Sequence, residues 1–528
     1  MVIESSELSG QTVRADVCVI GAGAAGITVA REFIGTRRAI VLLEAGGRRF
    51  EAADQQPYQS EVVGLPHKGV HEGRARVVGG TTSLWAGQCL PLFDCDFALR
   101  EWVPFSGWPI SRADLTVYYA RAERVMEVPA ATYDARSWPR PTVPDLPTSS
   151  RLQPAYSQFT YRPNFWAKYG EVLRAAENVR VVTHAHVTEL IATPAADAVR
   201  AVRCHSADGA MFEVTASTVI VCCGGIETAR LLLVSNSVEP AGVGNRNDVV
   251  GRYFQDHPGI AFPIHVRQRK PFAARYDGFS RAGIKYAIKL IADAELQRRE
   301  GLLNVSAEVF YEATEDDPIT AAKVVLRSIR QPELRGQVPR AVGQSLARPH
   351  RVIRAAWRHY VRRQPAAVGS GPPMLGVGVE QAPNPESRVM LSDQRDAFGT
   401  RRTKLDWRLT EFETRSINVF ARHVQAVWST LGLATVDVDI VPLAGRESGL
   451  YGGYVDANHH IGTTRMGTNP KTSVVDADCR VHGYSNLYVA SSSVFPTGGC
   501  SNPTLTVLAL AIRLCDRLKE KFAGGVVP

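Results

Sequence analysis

The chain has 528 residues, more than one hydrophobic core usually serves, so two domains, or one domain with a large insertion, are expected. Its 45% hydrophobic and 21% charged residues are ordinary for a soluble globular protein and exclude a disordered or membrane-embedded chain. The N-terminus lacks a basic stretch followed by an apolar run, which predicts a cytoplasmic protein. Nine cysteines without C-x-x-C spacing exclude a disulfide framework and a zinc cluster.

The net charge of +9 is concentrated in one segment. Residues 323–363 carry Lys323 and ten arginines against Glu333 alone, which leaves the rest of the chain close to neutral. The basic composition therefore does not indicate a nucleic-acid-binding protein. The spacing of the arginines around apolar residues predicts two amphipathic helices in a basic insertion over 320–365. Their charged face is either solvated or binds an acidic partner or an anionic surface.

The first strong pattern is a strand, a glycine turn and a helix. Residues 15–20 are an apolar run with several β-branched residues, and the turn Gly21-Ala-Gly23-Ala-Ala-Gly26 opens a helical pattern. Gly21 permits a tight turn, Gly23 lets backbone amides approach a pyrophosphate, and Gly26 allows the helix to pack closely on the strand. An ordinary glycine turn is the alternative, but the placement between strand and helix favours a dinucleotide site.

Three further segments extend this site. The next apolar strand, residues 39–43, ends in Glu44, where a carboxylate can accept hydrogen bonds from ribose hydroxyls. Residues 78–87 form a loop rich in glycine and hydroxyl groups that can lie against a flat ring system. Residues 218–223 form another β-branched strand that runs into Gly224-Gly225 and a helix. The larger set of contacts favours FAD over NAD.

The C-terminal part of the chain carries the catalytic pattern. Residues 458–467 read NHHIGTTRMG, and residues 501–506 read SNPTLT. With the glycine turns, these blocks resemble the glucose–methanol–choline (GMC) family of flavoproteins, in the branch that contains pyranose oxidases and fructose dehydrogenase-like enzymes. The resemblance covers roughly 13–100, 170–260 and 375–528. It implies that His459 and Asn502 are the catalytic pair and that Val187 contacts the adenine edge.

The chemistry suits these residue types. A neutral imidazole near its usual pKa can accept the hydroxyl proton as hydride leaves the alcohol carbon, and an amide can hold the same oxygen without competing for the proton. As an alternative, Asn502 before Pro503 has the pattern of a helix N-cap. His460 is expected to face the opposite side of its segment from His459. The cofactor-binding residues predicted here are Gly21, Gly23, Gly26, Glu44, Gly79, Gly80, Thr82, Ser83, Val187, Asn502 and Thr504.

The resemblance implies an α/β fold in which a Rossmann-type FAD-binding domain accompanies a substrate domain on a mostly antiparallel sheet, as in p-hydroxybenzoate hydroxylase. The predicted FAD-binding domain comprises 1–100, 170–260 and 455–528. The substrate domain comprises 101–169 and 261–454, with the basic insertion. Asp406, Glu380 and Gln381 on its strands are candidates to bind substrate hydroxyls, although solvated strand faces explain them equally well.

The predicted function is oxidation of a CH–OH or CH2OH group of a sugar, glycoside or aminoglycoside-like compound to a carbonyl, by hydride transfer to flavin N5 with His459 as base. Leu84 stands where some sugar oxidases of this type carry a histidine that binds FAD covalently, so non-covalent FAD is expected. No metal site is predicted, and the electron acceptor, O2 or another, is left open. The alternatives are a sterol or other apolar alcohol as substrate, an NAD-dependent dehydrogenase, and a non-catalytic nucleotide-binding partner protein.

Overall fold

The structure, a computed structural model, describes residues 1–129, 133, 146, 150–311, 317–328, 332–357, 361, 371–438 and 454–524. Parts of the predicted basic insertion, residues 329–331, 358–360 and 362–365, lie outside the described residues. The strands in chain order are β1 (Val2–Glu4), β2 (Thr12–Ile20), β3 (Ile40–Leu43), β4 (Glu61–Val62), β5 (Gln88–Cys89), β6 (Leu152–Phe159), β7 (Val179–Thr183), β8 (His186–Ala192), β9 (Val199–His205), β10 (Met211–Val221), β11 (Gly259–Val266), β12 (Phe279–Arg281), β13 (Ile284–Ala292), β14 (Val305–Tyr311), β15 (Pro373–Val379), β16 (Arg388–Arg395), β17 (Arg401–Asp406), β18 (Ala434–Val436) and β19 (Leu487–Val489).

The helices follow the same chain order. They are α1 (Ala24–Glu32), α2 (Ala52–Gln55), α3 (Asp94–Phe97), α4 (Thr116–Met126), α5 (Phe165–Ala175), α6 (Gly224–Val234), α7 (Arg269–Tyr276), α8 (Ala294–Glu300), α9 (Pro318–Ser328), α10 (Val338–Ala347), α11 (Pro349–Ala356), α12 (Glu411–Thr430) and α13 (Thr504–Ala523). Among the described residues, no helix is both long and apolar enough to cross a bilayer.

The first sheet is mostly parallel and has the strand order β1-β7-β3-β2-β10-β9-β8, with β19 beside β10. Strand β3 and the last four residues of β2 and of β10 are continuous buried runs, as expected where helices cover both faces of a parallel sheet. In the register of the sheet, Ile20 of β2 pairs with Leu43 of β3 on one side and with Val221 of β10 on the other. The residues that follow these three strands therefore meet at one edge of the sheet.

The second sheet is antiparallel and has the order β18-β11-β15-β14-β13-β6-β5, with β12 beside β13. Its inner face packs on α12, which buries Ile417, Phe420 and Trp428. A small third sheet, β16-β17-β4, places Val389 and Leu405 in the core of the first sheet. A Rossmann-type layer with a second antiparallel sheet is the predicted fold class, and the prediction is confirmed.

The region 101–169 divides between the two sheets. Helix α4 contributes Tyr119 and Val125 to the core of the first sheet, and the Tyr119 hydroxyl lies 2.8 Å from Oγ1 of Thr506 on α13. Strand β6, by contrast, pairs with β13 in the second sheet. The packing of α4 therefore follows the FAD-binding segments, whereas the prediction assigned all of 101–169 to the substrate domain.

The basic insertion contains more helices than the two predicted. In its described part, α9, α10 and α11 are separate helices, and both α10 and α11 pack against α9. The break between α10 and α11 falls at Arg348 because Pro349 has no N–H with which to continue α10, whereas a proline fits the first turn of a new helix.

Candidate functional site

A cavity of about 570 Å³ lies against the edge of the first sheet where β2, β3 and β10 end. This volume is typical of a small-molecule site. Nine of the predicted site residues line it, namely Gly21, Gly23, Glu44, Gly80, Thr82, Val187, His459, Asn502 and Thr504. The other predicted residues, Gly26, Gly79 and Ser83, do not contribute to its wall.

Two helices begin at the cavity, each after a glycine turn. Gly23 is the N-cap of α1 and has no side chain to occupy the amides of the first turn, and Gly224 opens α6 beside it. A Cβ atom added at Gly23 or Gly224 would meet no atom within 4 Å, so both backbones border open space. Gly26 serves packing instead, because a Cβ there would lie 1.9 Å from the Gly21 carbonyl oxygen. The paired helix N-termini suit the pyrophosphate of a dinucleotide.

Glu44 fixes the shape of the first glycine turn. Its two carboxylate oxygens accept hydrogen bonds from the backbone N–H groups of Ala22, at 2.8 Å, and Gly46, at 3.0 Å. Burial raises the pKa of Glu44 to about 7, against the lowering effect of those two bonds. The carboxylate lines the cavity at the end of β3, where the sequence predicted a ribose contact.

The loop around Gly79 and Gly80 packs directly on the glycine turn. The N–H of Gly79 donates to the Ala22 carbonyl at 2.8 Å, and a Cβ at Gly80 would come within 2.9 Å of the Gly23 Cα. Both glycines have positive φ, which glycine adopts without strain. The hydroxyl groups nearby serve the fold, since Thr82 accepts the Phe165 N–H at 3.0 Å and Ser83 donates to the Gly80 carbonyl. The two hydroxyl groups are therefore used within the protein, while Gly80, Thr81, Leu84 and Trp85 of the same loop line the cavity.

A buried ion-pair network on the cavity wall was missed by the sequence analysis. Glu227, in the first turn of α6, pairs with Arg74 and Arg76 at 2.9 Å and with Arg230 at 3.3 Å, and Arg230 also bonds Asp396. Burial alone would raise the pKa of Glu227, but the charges of the arginines lower it to about 2. The only sequence signal was an acidic residue just after the second glycine turn, and two of its partners, Arg74 and Arg76, lie more than 150 residues away.

The predicted catalytic residues meet at the other end of the cavity. Nδ1 of His459 lies 2.7 Å from Nδ1 of His257, and Nε2 of His459 lies 3.5 Å from Nδ2 of Asn502. The amide Nδ2 is a donor only, so in this arrangement Nε2 of His459 accepts and Nδ1 carries the proton. His257 must then accept at Nδ1 and carry its own proton on Nε2. The Oδ1 atom of Asn502 is buried and has no hydrogen-bond partner among the described residues.

Asp256 holds this end of the cavity in place. Its Oδ1 atom accepts hydrogen bonds from the backbone N–H groups of His257 at 2.6 Å, His459 at 3.0 Å and Ala457 at 3.2 Å, and its Oδ2 atom lies 3.0 Å from Nε2 of His67. Burial alone would raise the pKa of Asp256, but the hydrogen bond from His67 and its charge hold it well below its usual range. One fixed carboxylate therefore positions both His257 and His459.

The two adjacent histidines of the motif have different surroundings. His459 contacts His257 and Asn502, whereas the ring of His460 is buried between His67, 5.4 Å away, and Phe254, 6.0 Å away. Burial lowers the pKa of His459 to about 3, and the charge of His257 adds to this effect, while Asp256 opposes it. Both rings are therefore neutral at pH 7, since burial also lowers the pKa of His460 well below its usual range. The pKa of His459 differs from the near-unperturbed value assumed for a base.

Asn502 does not cap the last helix. Helix α13 begins at Thr504, Pro503 occupies the cap position, and no side chain makes a capping hydrogen bond. The amide is instead directed to His459, so the capping alternative is wrong.

The candidates on the second sheet are engaged elsewhere. Glu380 is buried and pairs with Arg100, Gln381 accepts the Asp256 N–H at 3.0 Å, and Asp406 pairs with Arg408. Glu380 and Asp406 are paired with arginines, Gln381 helps to hold Asp256, and none of the three lines the cavity. A role in direct substrate binding does not follow from their positions.

The chain is similar to known enzymes over its whole length. Two family models, both described as GMC oxidoreductase, match residues 171–259 and 383–511. The fructose dehydrogenase large subunit of Gluconobacter japonicus is 23% identical and is covered completely by 98% of this chain. The 6'''-hydroxyparomomycin C oxidase of Streptomyces lividus is also 23% identical, over 96% of this chain and 92% of its own. The C-glycoside 3-oxidase of Microbacterium trichothecenolyticum is 25% identical over 60% of this chain and 50% of its own.

Solved structures share the fold. The crystal structure of pyridoxine 4-oxidase from Mesorbium loti superposes with a TM-score of 0.57 at 17% identity, covering 96% of this chain and 99% of the other. A formate oxidase superposes with a TM-score of 0.54 at 16% identity. The fold, the cavity and these relatives define a flavin-dependent oxidoreductase that acts on alcohol donors. The chain belongs to the GMC oxidoreductase family.

The cavity fits the flavin dinucleotide that this family implies. The open backbone at Gly23 and Gly224 suits a pyrophosphate, and a continuous wall leads from there to His459. The buried Oδ1 atom of Asn502 is an acceptor still to be matched by a bound donor. Nine of the predicted site residues line this one cavity.

Proposed function

We propose that this enzyme binds FAD non-covalently and oxidises a CH–OH or CH2OH group of a sugar, glycoside or aminoglycoside-like compound to a carbonyl. The observation that carries the proposal is the contact between Nε2 of His459 and Nδ2 of Asn502, at 3.5 Å, on the wall of the same cavity that both glycine turns border. This contact brings a proton acceptor and a hydrogen-bonding amide to one place beside the cofactor cavity. An alcohol oxidation needs both functions.

Gly21, Gly23 and Gly224 would hold the cofactor's pyrophosphate, and Glu44 and Val187 would lie beside its nucleoside end. Gly80 and Thr504 would contribute further backbone contacts. When bound, the flavin supplies the acceptor for the hydride that leaves the alcohol carbon.

His459 would receive the hydroxyl proton at Nε2. The tautomer with its proton on Nδ1 makes Nε2 the acceptor that faces the Asn502 amide, and the acceptor Nδ1 of His257 stabilises that tautomer. The lowered pKa of His459 keeps the ring neutral before substrate binds. The negative charge of Asp256 favours the imidazolium once the proton has moved.

Asn502 would orient the substrate. The Nδ2 group lies near Nε2 of His459, and a hydroxyl oxygen between them can accept from Nδ2 while its proton points to Nε2.

The names of the relatives support the carbohydrate class. The fructose dehydrogenase subunit, the C-glycoside 3-oxidase and the 6'''-hydroxyparomomycin C oxidase are named for a sugar, a glycoside and an aminoglycoside. We therefore place the substrate among polyhydroxylated compounds.

Anaerobic reduction of the bound flavin tests the proposal. The purified holoenzyme is mixed with panels of monosaccharides, glycosides, aminoglycosides and sterols, and the flavin absorbance is followed. We expect bleaching by members of the first three panels. Bleaching by sterols alone would overturn the substrate class, a colourless protein would indicate an NAD-dependent enzyme, and a yellow protein that no alcohol reduces would indicate a nucleotide-binding partner protein.

Non-covalent binding has a separate test. Leu84, on the cavity wall, has no group that can bond to the flavin ring. After acid or heat denaturation and centrifugation, the yellow colour should be in the supernatant. Flavin fluorescence that stays with the protein band on a denaturing gel would contradict this expectation.

A further inference from the structure

The basic insertion exposes an unusual number of large apolar side chains. Nineteen such side chains are exposed among the described residues, and six of them lie in the insertion. They are Leu326, Val342, Leu346, Ile353, Trp357 and Val361. Their exposed fractions run from 39% to 69%, which is far from the burial expected of leucine, isoleucine or tryptophan in a packed helix.

Helix α11 shows the arrangement most clearly. Its buried residue is Ala355, while Ile353 and Trp357 are 67% and 54% exposed. Trp357 directly follows the end of α11 and keeps a helical backbone, so the two exposed residues, four positions apart, share one face. The small side chain faces inward and the large apolar ones face outward, which is the reverse of an ordinary surface helix.

The neighbouring helices repeat the pattern. On α10, Ala341 is buried, whereas Val342 and Leu346, again four positions apart, are exposed. On α9, Ala321 is buried and Leu326 is exposed. Since α10 and α11 lie against α9 and bury Ala341 and Ala355, the insertion is a helical unit whose exposed surface carries the larger apolar groups.

Basic residues flank these apolar groups. Between 317 and 361 the sequence has eight arginines and Lys323 but only two acidic residues, Asp317 and Glu333. The side chains of Lys323, Arg348 and Arg354 are exposed, and the buried Asp317 is 3.9 Å from Arg351. The exposed surface of the insertion is therefore both apolar and strongly positive.

We propose that the insertion is a docking surface for an anionic phospholipid bilayer, on which α11 lies with Ile353 and Trp357 inserted at the headgroup level. Amphipathic helices that combine arginine with tryptophan and aliphatic side chains bind in this way, because the apolar face enters the acyl boundary and the cations remain at the phosphates. An acidic protein would also match the charge, and the variants described below separate it from a bilayer. The proposal rests on the insertion alone and is independent of the alcohol oxidised.

Co-sedimentation with vesicles tests the proposal on the holoenzyme. The probes are vesicles of phosphatidylcholine alone and of phosphatidylcholine with one part in three of phosphatidylglycerol. We expect binding to the second kind at least tenfold tighter than to the first, weakening as salt is raised. Equal partitioning into both kinds, or into neither, would overturn the proposal.

Two double variants separate the lipid surface from an acidic protein. Ile353→Gln with Trp357→Gln removes the apolar face and keeps the charge, and it should weaken vesicle binding more than tenfold. Arg348→Gln with Arg354→Gln should weaken it by roughly 25-fold. Val117→Gln and Arg200→Gln, at exposed positions outside the insertion, are the matched controls and should bind as the parent does. Flavin content and turnover with a soluble acceptor should be unchanged in every variant.

If the apolar pair can be replaced without loss while the arginine pair cannot, purely electrostatic recognition is indicated and the bilayer proposal fails. Polyglutamate that binds the enzyme tightly while the anionic vesicles do not would point to an acidic protein instead. Loss of binding in both double variants, with both controls intact, would support the proposal.

Discussion

The two ends of the cavity are built on different principles. At the cofactor end, defined by Gly21, Gly23, Glu44, Arg76 and Glu227, the polar groups already have partners within the protein. Both carboxylate oxygens of Glu44 accept backbone N–H groups, and Glu227 pairs with three arginines. At the reaction end, defined by His257, His459 and Asn502, the buried Oδ1 atom of Asn502 has no partner among the described residues.

The difference matches the separate functions of the two ends, cofactor binding and reaction. The cofactor end is preformed because a tightly bound dinucleotide needs an open backbone surface that is held rigidly. The reaction end retains an unpaired hydrogen-bond acceptor among the described residues. Its groups must bind an alcohol and then exchange a proton with it. Changes at the first end should therefore affect stability and cofactor retention, while changes at the second should affect rate.

The largest effect is expected where the preformed end depends on one buried charge. Glu227→Gln would leave Arg74 and Arg76 without their carboxylate, and it should lower the free energy of unfolding by about 3 kcal/mol or more. Urea denaturation followed by flavin fluorescence measures this loss. The control is Glu171→Gln, because Glu171 is exposed and its pair with Arg174 lies on the surface, so no measurable change is expected. Equal stability of the two variants would contradict the comparison.

The next effect is on rate. His459→Ala should slow flavin reduction by about 100-fold or more, the scale of a lost general base, and should leave flavin content and unfolding unchanged. Anaerobic stopped flow on flavin-loaded protein measures it. His482→Ala is the matched control, because His482 is another partly buried histidine whose ring contacts Ser473, and it does not line the cavity. A reduction rate within a few-fold of the parent would exclude His459 as the base.

Several parts of this picture were predictable because local sequence encodes them. The turn from Gly21 to Gly26 requires a tight approach of α1 to β2, and the 1.9 Å distance from a Cβ at Gly26 to the Gly21 carbonyl explains why no larger residue fits. The alternation of His459 and His460 follows from an extended backbone. The resemblance of residues 458–467 to the family pointed to His459 without any knowledge of its neighbours, and His459 lies on the cavity wall.

The remaining parts depend on contacts between distant segments. His257 and Asp256 lie about 200 residues before His459, and no local pattern marks them as its partners. The same holds for Arg74, Arg76 and Asp396 around Glu227. The prediction that Asn502 caps the last helix was wrong for a related reason. Asn-Pro before a helix is a local signal, whereas the contact between the Asn502 amide and His459 is tertiary. The pKa of His459 also reflects burial, which the motif does not reveal.

A smaller effect should separate positioning from chemistry at the reaction end. His257→Ala removes the acceptor for Nδ1–H of His459, and it should slow flavin reduction roughly tenfold while KM stays near that of the parent. His257→Asn returns an oxygen acceptor close to the position of Nδ1 and should restore most of the rate. The two variants are compared in stopped flow across substrate concentrations. If the asparagine variant is as slow as the alanine variant, His257 acts through packing and not through the tautomer of His459.

The smallest effect expected is on the pH profile. Burial first, and then the charges of His257 and Lys289, lower the pKa of His459 to about 3, while Asp256 acts in the opposite direction. A base stays active while it is neutral, so the acid limb of flavin reduction should fall below pH 5 and not near the usual histidine value of about 6.5. Stopped flow from pH 4 to pH 8 would show it.

Acid unfolding must be separated from this titration, because protonation of His459 also changes the stability of the fold. The unfolded chain binds a proton at His459 near pH 6.5, whereas the folded chain resists it, so the stability due to the neutral ring is present above pH 6.5 and declines as the pH falls towards 3. The protein is therefore also returned to pH 7 before mixing, and its flavin fluorescence is recorded. If the rate recovers and the fluorescence has not changed, the loss of rate reports titration of the site. The expectation would be contradicted by a reversible limb near pH 6.5 that is present in the parent and absent in His459→Ala. Such a limb would show that the pKa of His459 is not lowered by burial in the protein that binds substrate.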